Sequence, residues 1–538
     1  MESETNVTAV GAEQAIADYV ARPFGTFPEL VGLQAAARPD KVAIVSGDES
    51  ISYRELDTMV DRVAAGLQRD GVASRDVVAI CASASIPYIA IFLGALRAGA
   101  AISPLSPSAT PEQLAEMLAD SGAAHLFLDA VVSKLLAPVA ERIRARRVAL
   151  TRGAVGAPFE QWLTASGSVP RAVEIDPDQA FNIIYSSGTT GTPKGIVQSH
   201  AMRWPHHHLA NPPGYTPLGV ALISTPLYSN TTLVSLIPAL AGGGTVILMD
   251  RFDAREFLVL SERHRVNFAM LVPVQYRRIL AVPDFDAFDL SSYHLKYATS
   301  APFPAELKAE VLARWPGGLT EYYGMTEGGG SCQLDAHLHP DKLHTVGRPI
   351  DGHEMFVIGA DGRRVGPGEV GEVVGRSRSM MNGYHNQPGK TAEAEWFDEE
   401  GRRFIRTGDL ASVDEDGFFT LVGRAKDMII SGGINIYPVD LEAVLLEHPS
   451  VAEAAVVGAP SSEWGETPVA FVTPKPGSEV DPEDLRAFAN RRLGKMQRIA
   501  AVRVVDELPR SAIGKVLKRE LLDDWNAQEV AVEGGSRH

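Results

Sequence analysis

The sequence predicts an α/β protein. A large N-terminal domain, residues 1–425, is expected to hold two α/β parallel-type sheet subdomains and a small β-barrel-like subdomain. A small, mobile α+β C-terminal domain, 426–538, follows. Three observations carry this. Short apolar runs alternate with helical apolar patterns from Phe27 to Leu136 and again from Val220 to Val272, the signature of repeated strand–helix–strand units and parallel sheets. From Gly347 the texture turns to short strands broken by tight turns at Asp361-Gly362, Pro367-Gly368 and Asp416-Gly417. After Gly423-Arg424-Ala425-Lys426-Asp427 a separate strand and helix pattern begins, which places a domain boundary there.

Residues 1–25 show no strong periodicity and read as an arm. Val42–Val45 reads as a strand and Tyr53–Leu67 as a helix. Val77–Cys81 reads as a buried strand, Tyr88–Ala98 as a helix, and Ala100–Pro104 and His125–Leu128 as further strands. The alternation resumes at Val220–Ile223, Thr245–Leu248 and Phe268–Val272, a second parallel-type unit. Beyond the boundary, Pro438–Glu447 and Pro482–Leu493 read as helices and Val451–Val457, Val469–Thr473 and Val502–Val505 as strands. The tail from Ala527 reads as frayed.

With 538 residues the chain is too long for a single core, and 45% hydrophobic with 22% charged residues is ordinary globular composition. A net charge of −17 and the absence of a Lys/Arg tract argue against nucleic acid as a partner. Two cysteines, Cys81 and Cys332, far apart, exclude a disulfide framework and a cysteine zinc site and fit a reducing cytoplasm. The acidic N-terminus lacks the blocks of a signal peptide. The longest apolar stretches are broken by Arg97, Pro238 and Gly242–Gly244, so no membrane span is expected.

Chemistry concentrates at Tyr185–Lys194, Tyr-Ser-Ser-Gly-Thr-Thr-Gly-Thr-Pro-Lys, between two strand-like runs. Ser186, Ser187, Thr189 and Thr190 offer hydroxyls, Gly188 and Gly191 let the backbone fold closely around an anion, and Lys194 adds a cation. The Walker A pattern fails, because counting from Gly188 puts Pro193 where the second Gly should stand. In Tyr323-Gly324-Met325-Thr326-Glu327 the Tyr suits stacking on a base, Thr326 a phosphate, and Glu327 the Mg²⁺ that accompanies a nucleoside triphosphate. Asp409 follows Arg406-Thr407-Gly408, read as a tight turn, where a carboxylate can take ribose hydroxyls or simply cap an element. Lys515 sits in a predicted loop before a terminal helix, able to stabilise a transferring phosphoryl oxygen or to be a solvated surface lysine. His206-His207-His208 has no accompanying carboxylate spacing and does not read as a metal site.

Taken together, these stretches resemble the adenylate-forming enzymes: acyl-CoA synthetases, adenylation domains of nonribosomal peptide synthetases, and beetle luciferases. The resemblance runs from about Phe27 to Leu522 and is most like a bacterial acyl-CoA ligase. Ile51–Leu56 and Leu96–Ala100 look like early structural motifs of the family, and Tyr185–Gly195 like its phosphate loop. The resemblance implies that Ser300-Ala301-Pro302 is the adenine-contacting turn and that Tyr323–Glu327 stacks adenine, binds phosphate and ligates Mg²⁺. It further implies that Asp409 holds the ribose with help from Arg424, that Lys426 is the domain hinge, and that Lys515 is the adenylation lysine. Gly432 and Gly433, within Ser431–Asn435, resemble the turn that lines a pantetheine tunnel.

The implied reaction is attack of a small-molecule carboxylate on the α-phosphorus of ATP, with Mg²⁺, followed by transfer of the acyl group to a thiol. No carrier module follows Lys515, which favours free coenzyme A, while loading of a separate carrier protein and a luciferase-like oxygenation stay open as alternatives. A homodimer is compatible with this reading. The acid pocket is expected to include Tyr228, Ser229, Asn230 and Tyr276. Ser229 takes the place where relatives carry a His, and Gly328, Gly329 and Gly330 form an unusually small wall. An aromatic, alicyclic or medium-chain acid is expected.

Overall fold

The computed structural model describes residues 2–186, 193–207, 216–431, 434–461, 464–494, 497–511 and 514–535, with side chains from residue 11 to residue 528. Its contacts divide the chain into two units. The first holds Met1–Leu343, Pro349–Glu354 and Gly375–Ile405; the second holds His344–Arg348, Met355–Val374 and Arg406–His538.

The first unit contains both expected α/β sheets. In one, the strands Gly318–Tyr323, Leu295–Ala298, Phe268–Leu271, Val220–Ile223, Thr245–Leu248 and Val42–Ser46 lie side by side in that order, all parallel. Cys332–Asp335 pairs antiparallel with Gly318–Tyr323, and Glu49–Ser52 closes the other side. The second sheet runs parallel from Ala180–Ser186 through Ala101–Pro104, Val77–Cys81, His125–Leu128 and Arg146–Ala149. Lys194–Ser199 returns antiparallel beside Ala180–Ser186, so the phosphate-loop candidate closes a hairpin, as expected of a loop between strands.

One apolar core takes residues from both sheets, such as Ile44, Val246, Val78 and Ile102. It also takes residues from the helices Phe27–Ala37, Tyr53–Arg69, Ile86–Arg97 and Asn230–Ala241. Ile86–Arg97 is apolar nearly all round because it is buried nearly all round. Tyr53–Arg69 starts sharply because Ser52 and Glu55 cap each other's backbone N–H groups. The N-terminal arm expected from the sequence is instead a helix, Glu2–Val20. Its end is anchored by Tyr19, which is buried, sets its ring edge-on to Trp204 at 5.6 Å and donates to Glu29 at 2.9 Å. Anchorage by single long-range partners leaves no periodic stripe to read in a sequence.

In the second unit the turns fall where Asp-Gly and Pro-Gly placed them, with Gly362, Gly368 and Gly417 at φ 76°, 81° and 83°. Arg403–Val413 pairs antiparallel with Phe419–Arg424 from Asp409 onward, so Gly408, at φ 69°, and Asp409 lie within a strand and not after a tight turn; the register shifts between Leu410 and Ala411. Further on, Val451–Ser461 and Gly465–Pro474 are antiparallel and Ala501–Val504 runs parallel to the latter. Helices Pro438–Leu446 and Pro482–Asn490 cover this sheet through Leu441, Leu445 and Leu485. The tail is not frayed at Ala527: helix Lys518–Gly535 runs through it. Among the described residues no helix is long and apolar enough to cross a membrane.

Candidate active site

Three parallel strands of the first sheet, the last two of them neighbours, deliver the predicted residues to its carboxyl edge. Tyr228–Asn230 follows Val220–Ile223, Ser300–Pro302 follows Leu295–Ala298, and Tyr323–Glu327 closes Gly318–Tyr323. All three lie beyond strand carboxyl ends, where open α/β sheets bind ligands. The hairpin strands put Ser186 opposite Lys194 at the mouth of the phosphate-loop candidate. Ser187, Gly188, Thr189, Thr190 and Gly191, like Gly432, Gly433 and His208, lie outside the described residues.

Glu327 is half-buried, and its Oε1 accepts a hydrogen bond from the Tyr384 hydroxyl at 2.8 Å. No Lys or Arg among the described residues pairs with it. A half-buried carboxylate without a cationic partner is the hard oxygen donor that Mg²⁺ takes, so the residues present fit that ion. Gln198 donates to the Thr326 carbonyl at 2.6 Å and fixes the main chain of this segment on the hairpin. Tyr323 is half-buried at the strand end and Gly324 is exposed. A Cβ at Gly324 would come within 2.8 Å of the Ser331 hydroxyl.

Ser300 is the unexpected member of the candidate adenine turn. It adopts φ +78°, a left-handed backbone that costs a non-glycine residue about 1 kcal/mol or more. Its hydroxyl lies 2.5 Å from that of Thr231, which belongs to the first turn of helix Asn230–Ala241. Ala301 is half-buried and Pro302 exposed beside it.

The acid-pocket candidates prove more committed than their sequence suggests. Ser229 caps helix Asn230–Ala241, its hydroxyl accepting from Thr231 N at 3.2 Å. Asn230 accepts at 2.6 Å from Arg203, a fully buried guanidinium that also donates to Asn182 and Gln198. Tyr276 departs from the expectation of a hydroxyl offered to substrate. It is fully buried, stacks on Phe303 at 5.2 Å and donates to the Tyr297 carbonyl at 2.8 Å. Tyr228 is half-buried, and burial pushes its phenol pKa up against the opposing bonds from Ser106 and Ser108. The glycine wall is required by the backbone itself. Gly328 sits at φ 76° with a Cβ position 1.8 Å from the Ser379 carbonyl oxygen, and Gly329 at φ 84° with one 3.0 Å from that of Gly375. Gly330 is buried beside them.

In the second unit Asp409 and Arg424 face each other across paired strands and form an ion pair at 2.6 Å. Lys426 occupies the short turn Ala425–Asp427 that follows, inside this unit. Lys515 is exposed over much of its length. Burial around its ammonium and the nearby Arg424 and Lys426 nevertheless lower its pKa, with Asp409 and Asp427 opposing. Its loop is braced by Arg510, which donates to the Gly514 carbonyl at 2.7 Å and to Glu453 at 2.8 Å. A cleft of about 600 Å³ opens in the same unit, lined by Ser431, Trp464, Thr467, Arg486, Arg491 and Arg498. Among the described residues no His, Cys, Asp and Glu cluster has metal-binding geometry; His206 and His207 turn their Nδ1 atoms to the carbonyls of Arg203 and Trp204.

Sequence reading passed over Tyr384 and gave Arg510 no role. Only tertiary neighbours reveal the first. The second had a signal in its place five residues before Lys515.

Comparison with known proteins agrees with this geometry. The AMP-binding enzyme family matches residues 32–385, and the AMP-binding enzyme C-terminal domain matches 440–515. A feruloyl-CoA synthase of an Amycolatopsis species is 34% identical over 91% of this chain and 96% of its own. An indoleacetate–CoA ligase of Aromatoleum aromaticum is 32% identical over 92% and 97%. The ATP-bound crystal structure of MatB from Rhodopseudomonas palustris superposes with TM-score 0.83 at 28% identity, covering 93% of this chain and 99% of that one. The chain therefore belongs to the AMP-binding enzyme family. Within it, the chain is an adenylate-forming acyl-CoA ligase, an ATP-using acid–thiol ligase.

Proposed function

We propose that this ligase activates an aromatic carboxylic acid with ATP and passes the acyl group to free coenzyme A. The observation that carries the reading is the convergence of Ser300–Pro302 and Tyr323–Glu327, with a carboxylate that no cation among the described residues pairs, at the carboxyl edge of adjacent parallel strands. The aromatic preference is supported by the two relatives whose names specify feruloyl and indoleacetyl acids.

In the first half-reaction the acid's carboxylate oxygen attacks the α-phosphorus of ATP. The bond to the β-phosphate breaks, and pyrophosphate leaves. Lys194 and the loop before it hold the departing phosphates, with Thr326 beside them; Glu327 is the residue that would hold Mg²⁺, which supplies charge neutralisation to the triphosphate. Asp409 accepts the ribose hydroxyls, oriented by Arg424. Lys515 stabilises charge on the α-phosphate side. In the second half-reaction a thiolate attacks the acyl carbonyl and AMP leaves. Lys426 acts as the pivot between the two steps.

The cleft lined by Trp464, Arg486, Arg491 and Arg498 supports coenzyme A as the thiol. An exposed indole and three guanidiniums suit the adenine and several phosphates of a nucleotide, whereas a carrier-bound pantetheine arm has no adenine and a single phosphodiester. Two buried free cysteines suit the cytoplasmic setting we assign, and a homodimer is the assembly that light scattering would test.

ATP–pyrophosphate exchange across a panel of aromatic, alicyclic and fatty acids, with and without coenzyme A, tests the proposal. Exchange led by aromatic acids, with thioester formed on free coenzyme A, is expected. Exchange confined to fatty acids, or product only with a carrier protein, would overturn it.

A further inference from the structure

The segment 381–386 is strapped along the phosphate-loop hairpin. Gly383 and Tyr384 pair antiparallel with Val197 and Ile196, and His385 N donates to the Gly195 carbonyl at 2.7 Å. Thr391 accepts from Tyr384 N at 2.9 Å on the other side, so the tyrosine backbone is held from two directions. At the hairpin's other flank, Tyr185 donates to the Asp120 carboxylate at 2.6 Å while His385 and Asn386 reach the Asp120 carbonyl. The strap also grips the Glu327 segment directly, Met381 N donating to the Glu327 carbonyl at 2.8 Å.

Two of Tyr384's side-chain contacts go to residues with an assigned task. Its hydroxyl donates to Glu327 Oε1 at 2.8 Å, and the Lys194 ammonium stands 5.0 Å from the centre of its ring. One side chain, 9% exposed, thus touches both the carboxylate suited to Mg²⁺ and the lysine of the phosphate loop. A hydroxyl bond to a carboxylate fixes which oxygen is committed and how the group is turned. A cation over an aromatic face is held in place by the ring quadrupole, by about 0.5–1 kcal/mol at an exposed site and more when desolvated. Without the tyrosine, Lys194 and Glu327 would be free to neutralise each other, removing both from the phosphates.

We propose that Tyr384 is a positioning residue for adenylation: its hydroxyl orients Glu327 for the metal while its ring seats Lys194 for pyrophosphate, keeping the two opposite charges apart. This rests on the reading of Glu327 as the magnesium carboxylate.

The two contacts can be separated. Tyr384→Phe keeps the ring and loses the hydroxyl; Tyr384→Leu loses both; Glu327→Gln is the reference for metal binding. Mn²⁺ binding to the enzyme–ATP complex, followed by electron paramagnetic resonance, reads the carboxylate independently of turnover. The KM for pyrophosphate in the reverse direction reads Lys194. Tyr384→Phe is expected to weaken Mn²⁺ binding about tenfold or more, as loss of an outer-sphere partner does, with the pyrophosphate KM near wild type. Tyr384→Leu is expected to weaken both. Conversion of preformed acyl-adenylate to thioester should stay near wild type in each.

Mn²⁺ binding unchanged in Tyr384→Phe but weakened in Glu327→Gln would overturn the assignment of Tyr384 alone. Unchanged binding in Glu327→Gln would overturn the reading of Glu327 and the proposal with it. Equal loss of every readout in both tyrosine variants, tracking a lowered melting temperature, would show a merely structural residue.

Discussion

The hydroxyl pair between Thr231 and Ser300 joins the helix beside the proposed acid pocket to the proposed adenine turn, and its energetics can be worked out. Ser300, at φ +78°, carries a backbone strain of about 1 kcal/mol or slightly more. The 2.5 Å hydroxyl pair returns about 1 kcal/mol. Ser300→Gly removes both terms and should be close to neutral in stability. Ser300→Ala keeps the strain and loses the bond, and Thr231→Val leaves Ser300 strained with no partner, so each should cost about 1 kcal/mol. The diagnostic case is the double variant. Thr231→Val should cost nothing further once residue 300 is Gly, giving a coupling of about 1 kcal/mol. The same energy spent on the turn would raise the ATP KM roughly fivefold in Ser300→Ala and Thr231→Val. Urea unfolding followed by intrinsic fluorescence, with ATP–pyrophosphate exchange on the same preparations, measures both. Equal cost of Thr231→Val in the two backgrounds would refute the coupling, and an unchanged ATP KM in both single variants would refute its role in the turn.

Other expectations follow from the same structure. Arg510→Met frees the Lys515 loop from Gly514 and Glu453 and should slow adenylation roughly ten- to a hundredfold, the cost of about 1 Å of misplacement, while sparing thioester formation from preformed adenylate; single-turnover pyrophosphate release checks it. His200 is buried against Phe181, and burial lowers its pKa from 6.5 to about 4. Between those values the unfolded chain binds more protons than the folded one, so stability is complete above about pH 6.5 and falls on acidification toward 4, by on the order of 3 kcal/mol. His200→Gln should flatten that acid limb in urea titrations run from pH 7 to pH 4.

Much of the first unit could be read from sequence because its buried strands are continuous apolar runs and its helices follow them with clear punctuation. Val77–Cys81 and Phe268–Leu271 are legible for that reason. The phosphate-loop hairpin is legible because Gly, Ser and Thr separate two apolar runs, which the structure shows as paired antiparallel strands. Side-chain commitments were not. Asn230 looks like a pocket residue until Arg203, 27 positions away in sequence, claims its carbonyl oxygen. Tyr276 looks like a partner for a polar group on the acid until burial and the Tyr297 carbonyl account for it. The glycines at 328 and 329 look like room for a bulky substrate, whereas positive φ and the close backbones of Ser379 and Gly375 already require them. In each case a local residue type was visible and its distant partner was not. Tyr384 shows the same in reverse: nothing about a Gly-Tyr pair in sequence announces that it lies between a lysine and a carboxylate.

In the proposed mechanism Lys515 serves acyl-adenylate formation and not the thioester step. Single-turnover measurement of the two half-reactions separately in Lys515→Ala tests it most directly. Formation of acyl-adenylate from ATP and acid should fall about a hundredfold or more. Thioester formation from preformed adenylate and coenzyme A should proceed near the wild-type rate. Equal loss in both half-reactions, or adenylation that proceeds unimpaired, would contradict the account.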